Sequence, residues 1–351
     1  MDHEPRRARD LGIVPGRLRP GPLNALTDVP GVLVGHTTVD DGADLHTGVT
    51  AVVFSQLGAA RRSLPCGLFV GNGHGKLVGA TQVVELGVLE TPILLTSTLS
   101  TFRAADALVT YMLAQPGYDE VRTLNPVVGE TNDGYLSDIR RRAVTEEHVL
   151  AALGAAGPEL PAEGCFGAGT GTSALGFKSG VGTSSRVVEV DGSAMTLGAL
   201  VQSNFSGLLT VLGVPMPADG PVAAGDAAAG GAAEVPEGNS CMIVLATDAP
   251  LDARRLARVA RRGVFAMGRV GSDFTGGSGD YALAVSTAAD DLALVPDGAL
   301  NGLFAAAIES VEEALLNSLF AATTTTGCGH VQRAVPHDQV VARLRERGVI
   351  G

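Results

Sequence analysis

The sequence has no tryptophan, and aromatic residues of all kinds supply only 4% of its 351 positions. A surface that stacks bases or sugars therefore has little to be built from, and close packing must come from small and aliphatic side chains. Cysteine is sparse as well. Cys66, Cys165, Cys241 and Cys328 stand far apart with no CxxC pair, so neither a disulfide framework nor a cysteine–zinc cluster is expected, and all four read as buried thiols of a reducing compartment. Positive charge is short: the formal net charge is −12. The basic runs at 61–62 and 254–262 are too brief to offset it, which argues against nucleic acid as a partner. No apolar run approaches the ~20 residues that span a bilayer, and the polar, proline-bearing start lacks a secretory signal's apolar core. A cytoplasmic protein with no membrane partner is the expectation.

What is present is glycine, 47 residues of it, in a chain that is 45% hydrophobic. That supports a large core with short connections. Residues 1–25 read as a weakly ordered arm. Strand-like patterns follow at 32–39, 48–54, 68–75, 91–99, 195–205, 241–246 and 276–287. Helical spacing predicts a short helix at 79–87 and another at 102–113, with Phe102, Ala105, Leu108, Val109 and Met112 on one face. A further helix is expected within 146–163. Thr247/Asp248, with Pro250 behind them, predict a capped helix running to about 262. Helices at 299–321 and 337–347 complete the pattern. Strands and helices alternate irregularly, which predicts a layered α/β architecture.

Several familiar chemistries fail on spacing. In the glycine-rich run 166–186, Gly171 and Gly176 have the Walker separation, but Phe177 occupies the lysine position and Lys178 comes one residue late. Gly167-Ala168-Gly169 begins a dinucleotide fingerprint that ends wrongly on Thr172. The seven histidines form no HExxH and no cluster with cysteine, so no metal is expected, and His36 and His74 read as structural. Gly276-Gly277-Ser278-Gly279-Asp280 is not a GxSxG elbow. Lys178 reads as an ion-pair residue without catalytic work.

One boundary survives this filter. Residues 215–239 are almost wholly alanine, glycine, proline and acid, the composition of a mobile segment. Immediately after Asn239 come Ser240 and an apolar strand. A serine there suits intramolecular attack on the Asn239 carbonyl, followed by hydrolysis of the resulting ester. The new chain end would carry a hydroxyl nucleophile and an α-amine of pKa ~7.7–8.0 on one residue, a base matched to neutral pH. Taken alone, Asn239-Ser240 reads more readily as an ordinary loop-to-strand turn, since both residues are common there.

Resemblance decides between these. GNSCMIVLATDAPLDARRL (238–256) resembles the start of the small subunit of the L-aminopeptidase/D-esterase family, which includes the β-peptidyl aminopeptidases. GAGTGTSALGFKSGVGTSSR (167–186) resembles that family's glycine-rich signature. GVLVGHTTV, GVTAVVF, GNGHGKLVGATQVVELG, ETPILLTSTLS and GETNDGYLSD follow as further blocks, so the likeness spans about 24–325. It implies a self-processing serine aminopeptidase or amidase, cut into a large chain (1–239) and a small chain (240–351) that together form one domain. The implied fold is a four-layer αββα sandwich, related in appearance to N-terminal-nucleophile hydrolases but connected differently. Implied catalytic residues are the nucleophile Ser240, the triplet Ser278-Gly279-Asp280, Asn204 as oxyanion donor and Tyr135 near the scissile bond. Some members carry glutamate where Asp280 stands, and aspartate is one methylene shorter, which puts its direct contact in doubt.

Recognising a substrate ammonium calls for a confined carboxylate, and Glu130 is the candidate. The expected substrate is a small peptide, amide or ester with a β-amino, D- or L-alanyl or glycyl N-terminal residue. No metal or organic cofactor is needed by such chemistry, and the family implies a homo-oligomer, commonly a tetramer. Two other readings stay open: an acyltransferase of the ornithine acetyltransferase-like architecture, and an unprocessed, inactive binding protein.

Overall fold

The structure, a computed structural model, describes residues 4–190, 192–216 and 240–351. The strands of its two main sheets are β1 (Val32–Asp40), β2 (His46–Phe54), β3 (Leu64–Gly73), β4 (Val88–Leu89), β5 (Ile93–Ser97), β6 (Val127–Thr131), β7 (Val181–Val190), β8 (Ser193–Asn204), β9 (Ser240–Thr247) and β10 (Gly279–Ser286). Its α-helices are α1 (Ala80–Leu86), α2 (Thr101–Leu113), α3 (Glu146–Gly154), α4 (Ala253–Met267), α5 (Asn301–Phe320) and α6 (His337–Glu346).

The apolar run after Ser240 explains the layering. Every residue of β9 is buried, so both faces of this strand need cover. Cys241, Ile243 and Leu245 point into a core completed by α4 and α5. Met242, Val244 and Ala246 point the other way, against Val52, Phe54, Ile93 and Leu95 of a second sheet. That second sheet is covered on its far side by α2 and α3, through Leu94 and Val128 packed on Ala104, Leu108 and Val149. The result is an αββα sandwich, as expected. One sheet runs β1-β2-β5-β6 and the other β4-β3-β10-β9-β8-β7. Burial of each Leu, Ile or Val in these three cores contributes roughly 1.5–3 kcal/mol, so the sandwich is held mainly by aliphatic packing. Among the described residues no helix is long and apolar enough to cross a membrane.

Three expectations need correction. The N-terminal arm is not weakly ordered from residue 4 onward. Ile13 is wholly buried, Ala8 donates its amide to Asn317 Oδ1 at 2.9 Å, and Arg9 pairs with Glu313 at 2.7 Å. Its arginines look like solvated charge in sequence because their counter-charges, Glu163 for Arg7 and Glu313 for Arg9, lie far along the chain. On α2, Phe102 is 68% exposed, while Thr101, Ala104, Ala105, Leu108 and Met112 are buried. Ala105, Leu108 and Met112 thus lie on the buried face as expected, and Thr101, whose hydroxyl bonds the carbonyls of Ser97 and Thr98, takes the inward place at the helix start expected of Phe102. Thr247 and Asp248 do not cap a helix. Both are tied to Thr196 of β8, and α4 is capped by Asp252, which accepts from the Arg255 amide at 2.8 Å.

Of the segment expected to be mobile, 217–239 lie outside the described residues. Pro215 pairs with Thr210 in a short ladder, and Met216 is buried, its amide bonded to the Leu209 carbonyl at 2.7 Å.

Candidate active site

Sheet register builds the site. Ser240, the first residue of β9, lies opposite Asn204, the last residue of antiparallel β8. On its other side it lies opposite Gly279, the first residue of parallel β10. Three residues widely separated in sequence thus stand abreast at one end of the sheet. All are buried.

The glycine-rich segment supports the Asn204 side. The Ser173 amide donates to Asn204 Oδ1 at 3.0 Å, which orients the carboxamide. Ser179 Oγ donates to the Ser203 carbonyl at 2.7 Å, and the Ser203 amide to the Gly180 carbonyl at 3.1 Å. Lys178 is fully buried within this segment. Its ammonium is held by the Gly169 and Ser179 carbonyls and reaches the Cys165 sulfur, so a brace for the loop replaces the expected ion pair with a carboxylate.

On the Gly279 side, Ser278 Oγ donates to Asp280 Oδ1 at 2.6 Å. Asn72 Nδ2 donates to Asp280 Oδ2 at 2.9 Å, and the Cys241 amide also bonds this carboxylate. Burial raises the Asp280 carboxyl above its usual range, while Ser278, Asn72 and the Cys241 amide pull it back. Burial, reinforced by Asp280, pushes the Cys241 thiol well up, leaving an inert sulfhydryl beside Ser240.

Glu130 approaches from the facing sheet, on β6. It is 1% exposed, accepts the Lys76 amide at 2.8 Å through Oε1 and the Thr98 hydroxyl through Oε2. Two glycines pack between Glu130 and Ser240. A Cβ on Gly75 would stand 3.1 Å from Glu130 Oε1 and 3.2 Å from Gly279 Cα. A Cβ on Gly279 would stand 3.3 Å from Ser240 Oγ and only 2.6 Å from Gly75 Cα. A side chain at Gly75 would press on Glu130, and one at Gly279 would drive the Gly75 backbone away and crowd Ser240.

Tyr135 sits on the loop that leaves β6, its ring stacked on His330 with centroids 4.2 Å apart and planes at 21°. On the same loop Asp133 is buried and accepts the Ser97 hydroxyl at 2.8 Å, and burial pushes its carboxyl up to about 6. His36 donates to or accepts from Thr50 Oγ1 at 2.9 Å, and burial lowers it to about 4. The His74 amide bonds the Ser278 carbonyl at 3.1 Å. Among the described residues no group of three His, Cys, Asp or Glu side chains is placed to hold a metal. Asn239 falls outside the described residues.

Asn72, Gly75, Thr98 and Asp133 were not singled out in the sequence. Each lies inside a block that resembles the family, but no spacing rule links them to Ser240.

Residues 24–332 match the model of peptidase family S58. A beta-peptidyl aminopeptidase of Sphingosinicella microcystinivorans is 37% identical, covering 97% of this chain and 92% of its own. The L-aminopeptidase D-Ala-esterase/amidase of Ochrobactrum anthropi, a prototype for serine aminopeptidases and a variant among the Ntn hydrolase fold, superposes with a TM-score of 0.87 at 35% identity, covering 98% of this chain and 99% of that one. A Burkholderia beta-aminopeptidase superposes at 0.86 with 37% identity and the same coverage.

Proposed function

The chain belongs to peptidase family S58, and from that premise we propose that it is a self-processing serine aminopeptidase whose nucleophile, Ser240, becomes a chain end. The observation that carries this reading is the placement of Ser240. It opens a doubly buried central strand, follows a long segment of linker-like composition, and is flanked in register by Asn204 and Gly279.

In processing, the Ser240 hydroxyl attacks the Asn239 carbonyl. The C–N bond to Ser240 breaks, an ester forms on its oxygen, and water then releases the Asn239 carboxylate. In turnover, the freed α-amine accepts the hydroxyl proton as the oxygen attacks the substrate carbonyl. The Asn204 carboxamide, its oxygen engaged by Ser173, turns its N–H side to the task of stabilising the oxyanion. Tyr135 assists at the oxyanion or the leaving amine. Water then cleaves the acyl ester.

Glu130 binds the substrate's terminal ammonium. The substrates are small N-terminal residues of the alanyl or glycyl kind, including β-amino ones, in peptides, amides or esters, a reading supported by the beta-peptidyl aminopeptidase and D-Ala-esterase/amidase relatives. The Asp280 carboxylate, bonded to the Cys241 amide, lies against the Ser240–Cys241 peptide and balances the charge of the new α-ammonium.

Denaturing electrophoresis with N-terminal sequencing tests the proposal. The wild-type protein should give two bands of about two-thirds and one-third of 35.6 kDa, the smaller beginning Ser-Cys-Met-Ile. Ser240→Ala should stay a single chain and lose at least ~10⁴-fold of its activity on an alanyl or β-alanyl p-nitroanilide. A continuous, fully active wild-type chain overturns the proposal.

A further inference from the structure

Asn72 has no part in the chemistry above, yet it is built into the site with unusual care. In the antiparallel register of β3 and β10, Asp280 lies opposite Asn72, and Tyr281 lies opposite Val70. Gly71 is the extra residue of a β-bulge at this step. A bulge re-aims the side chains beside it, and here it brings the Asn72 carboxamide to the Asp280 carboxylate. The bulge also needs glycine, because a Cβ on Gly71 would lie 2.8 Å from Val264 Cγ1 and 3.3 Å from Asp280 Cβ. Asn72 Nδ2 donates to Asp280 Oδ2 at 2.9 Å and faces the Phe274 and Thr275 carbonyls at 3.2 and 3.4 Å. Three acceptors around one atom require an amide nitrogen there. The two carbonyls belong to the loop leading to Ser278, whose own amide bonds the Thr275 carbonyl at 3.0 Å. One side chain therefore holds both Asp280 and the loop that delivers Ser278.

We propose that Asn72 is a positioning residue for the reaction, fixing the Asp280 carboxylate and the 274–278 loop so that Ser278 and Asp280 keep their places beside the chain end at Ser240. The assignment rests on the nucleophile reading of Ser240. Asn72 acts through Asp280: its amide satisfies Oδ2, so that Oδ1 is left for the Ser278 hydroxyl.

The test is a mutant cycle on the processed enzyme, with kcat and KM measured on an alanyl p-nitroanilide. Asn72→Ala should lower kcat about tenfold to a hundredfold, the effect of losing one hydrogen bond to a charged group, with KM changed less than about twofold because the substrate contacts are untouched. In an Asp280→Asn background the same change should cost less than about twofold, since the group it acts through is already altered. Asn72→His, which keeps an N–H donor, should recover part of kcat.

Asn72→Asp is isosteric, and circular dichroism and urea unfolding establish that it, Asn72→Ala and Asn72→His are folded before their rates are compared. Asn72→Asp sets a carboxylate against a carboxylate and should be at least as impaired in kcat. Wild-type kcat in both Asn72→Ala and Asn72→Asp overturns the proposal, as does a loss that adds in full to that of Asp280→Asn. Ser240→Ala, assayed alongside, separates the two readings. An active Ser240→Ala protein sinks the nucleophile, whereas an inactive one beside unimpaired Asn72 variants sinks only the role of Asn72.

Discussion

Where the N-terminal arm crosses α5, Glu163, Glu309 and Glu313 are each met by a guanidinium: Arg7 at 2.7 Å, Arg186 at 3.2 Å, and Arg186 with Arg9 at 2.6 and 2.7 Å. At the end of β9, Glu130, Asp133 and Asp280 are equally buried but are held by neutral donors, namely the Lys76 amide, the hydroxyls of Thr98, Ser97 and Ser278, and the Asn72 amide. Among the described residues none of these three carboxylates has a cationic partner within 4.0 Å. Burial alone would raise Glu313, yet Arg9, Arg186 and Asn24 hold it below its usual range. Glu163 is raised to about 7 by burial in spite of Arg7, and Asp133 and Asp280 are raised with no cation beside them. Charge in the first region is cancelled internally and ties the chain together. Charge in the second has no cation of this kind beside it and is oriented by neutral donors, as the proposed function asks of a place that receives the substrate's amino terminus and the α-amine of a processed Ser240.

Breaking the first region should cost the most stability. Arg186→Met leaves Glu309 and Glu313 without their shared cation in a buried setting, and unfolding in urea should show a loss of about 3–5 kcal/mol. The specific activity of the molecules that remain folded should stay near wild type. Breaking the second region should do the reverse. Glu130→Gln keeps shape and hydrogen bonds but removes the charge. It should lower kcat/KM by about 100-fold, equivalent to ~3 kcal/mol of binding to the substrate ammonium, with little change in Tm. An unchanged kcat/KM would place ammonium recognition elsewhere.

The smallest expected effect sharpens the contrast through pH. The carboxyl of Asp133 is raised from 3.8 to about 6 in the folded chain, so between about pH 4 and 6 the folded state binds the extra proton. Stability contributed by this site must then fall as pH rises through that window and stay reduced above it. Asp133→Asn removes the penalty. Relative to wild type it should gain about 1–3 kcal/mol more at pH 7.5 than at pH 4.5 in urea unfolding. An equal difference at both pH values would mean that Asp133 does not carry the penalty.

Comparison of Ser240 with Asn72 shows what kind of information reading a chain provides. The strand at Ser240 was legible because composition changes abruptly there, from a linker-like run to eight consecutive buried residues. A layered α/β architecture is legible from similarly strong apolar runs, whereas the αββα arrangement and the candidates Asn204, Ser278 and Asp280 come from resemblance to the family. Asn72, Gly75 and Thr98 left no such trace. Their importance arises from register: a bulge opposite Asp280 turns Asn72 inward, and sheet-to-sheet packing brings Glu130 and Thr98 over Gly75. Phe102 went astray for a related reason, since spacing defines a helix's apolar face along its length but not which residue takes the inward place where the helix begins.

Local chemistry in this chain thus specifies which segments become buried strands, that Ser240 stands at the head of one, and which chemistries the spacings exclude. The pairing of Arg7, Arg9 and Arg186 with distant glutamates, the clamp on Asp280 and the approach of Glu130 to Ser240 belong to the assembled sandwich alone. Hydrophobic periodicity is a short-range property read within one element, whereas a buried charge finds its partner only when folding brings residues from different sheets and helices within a few ångströms.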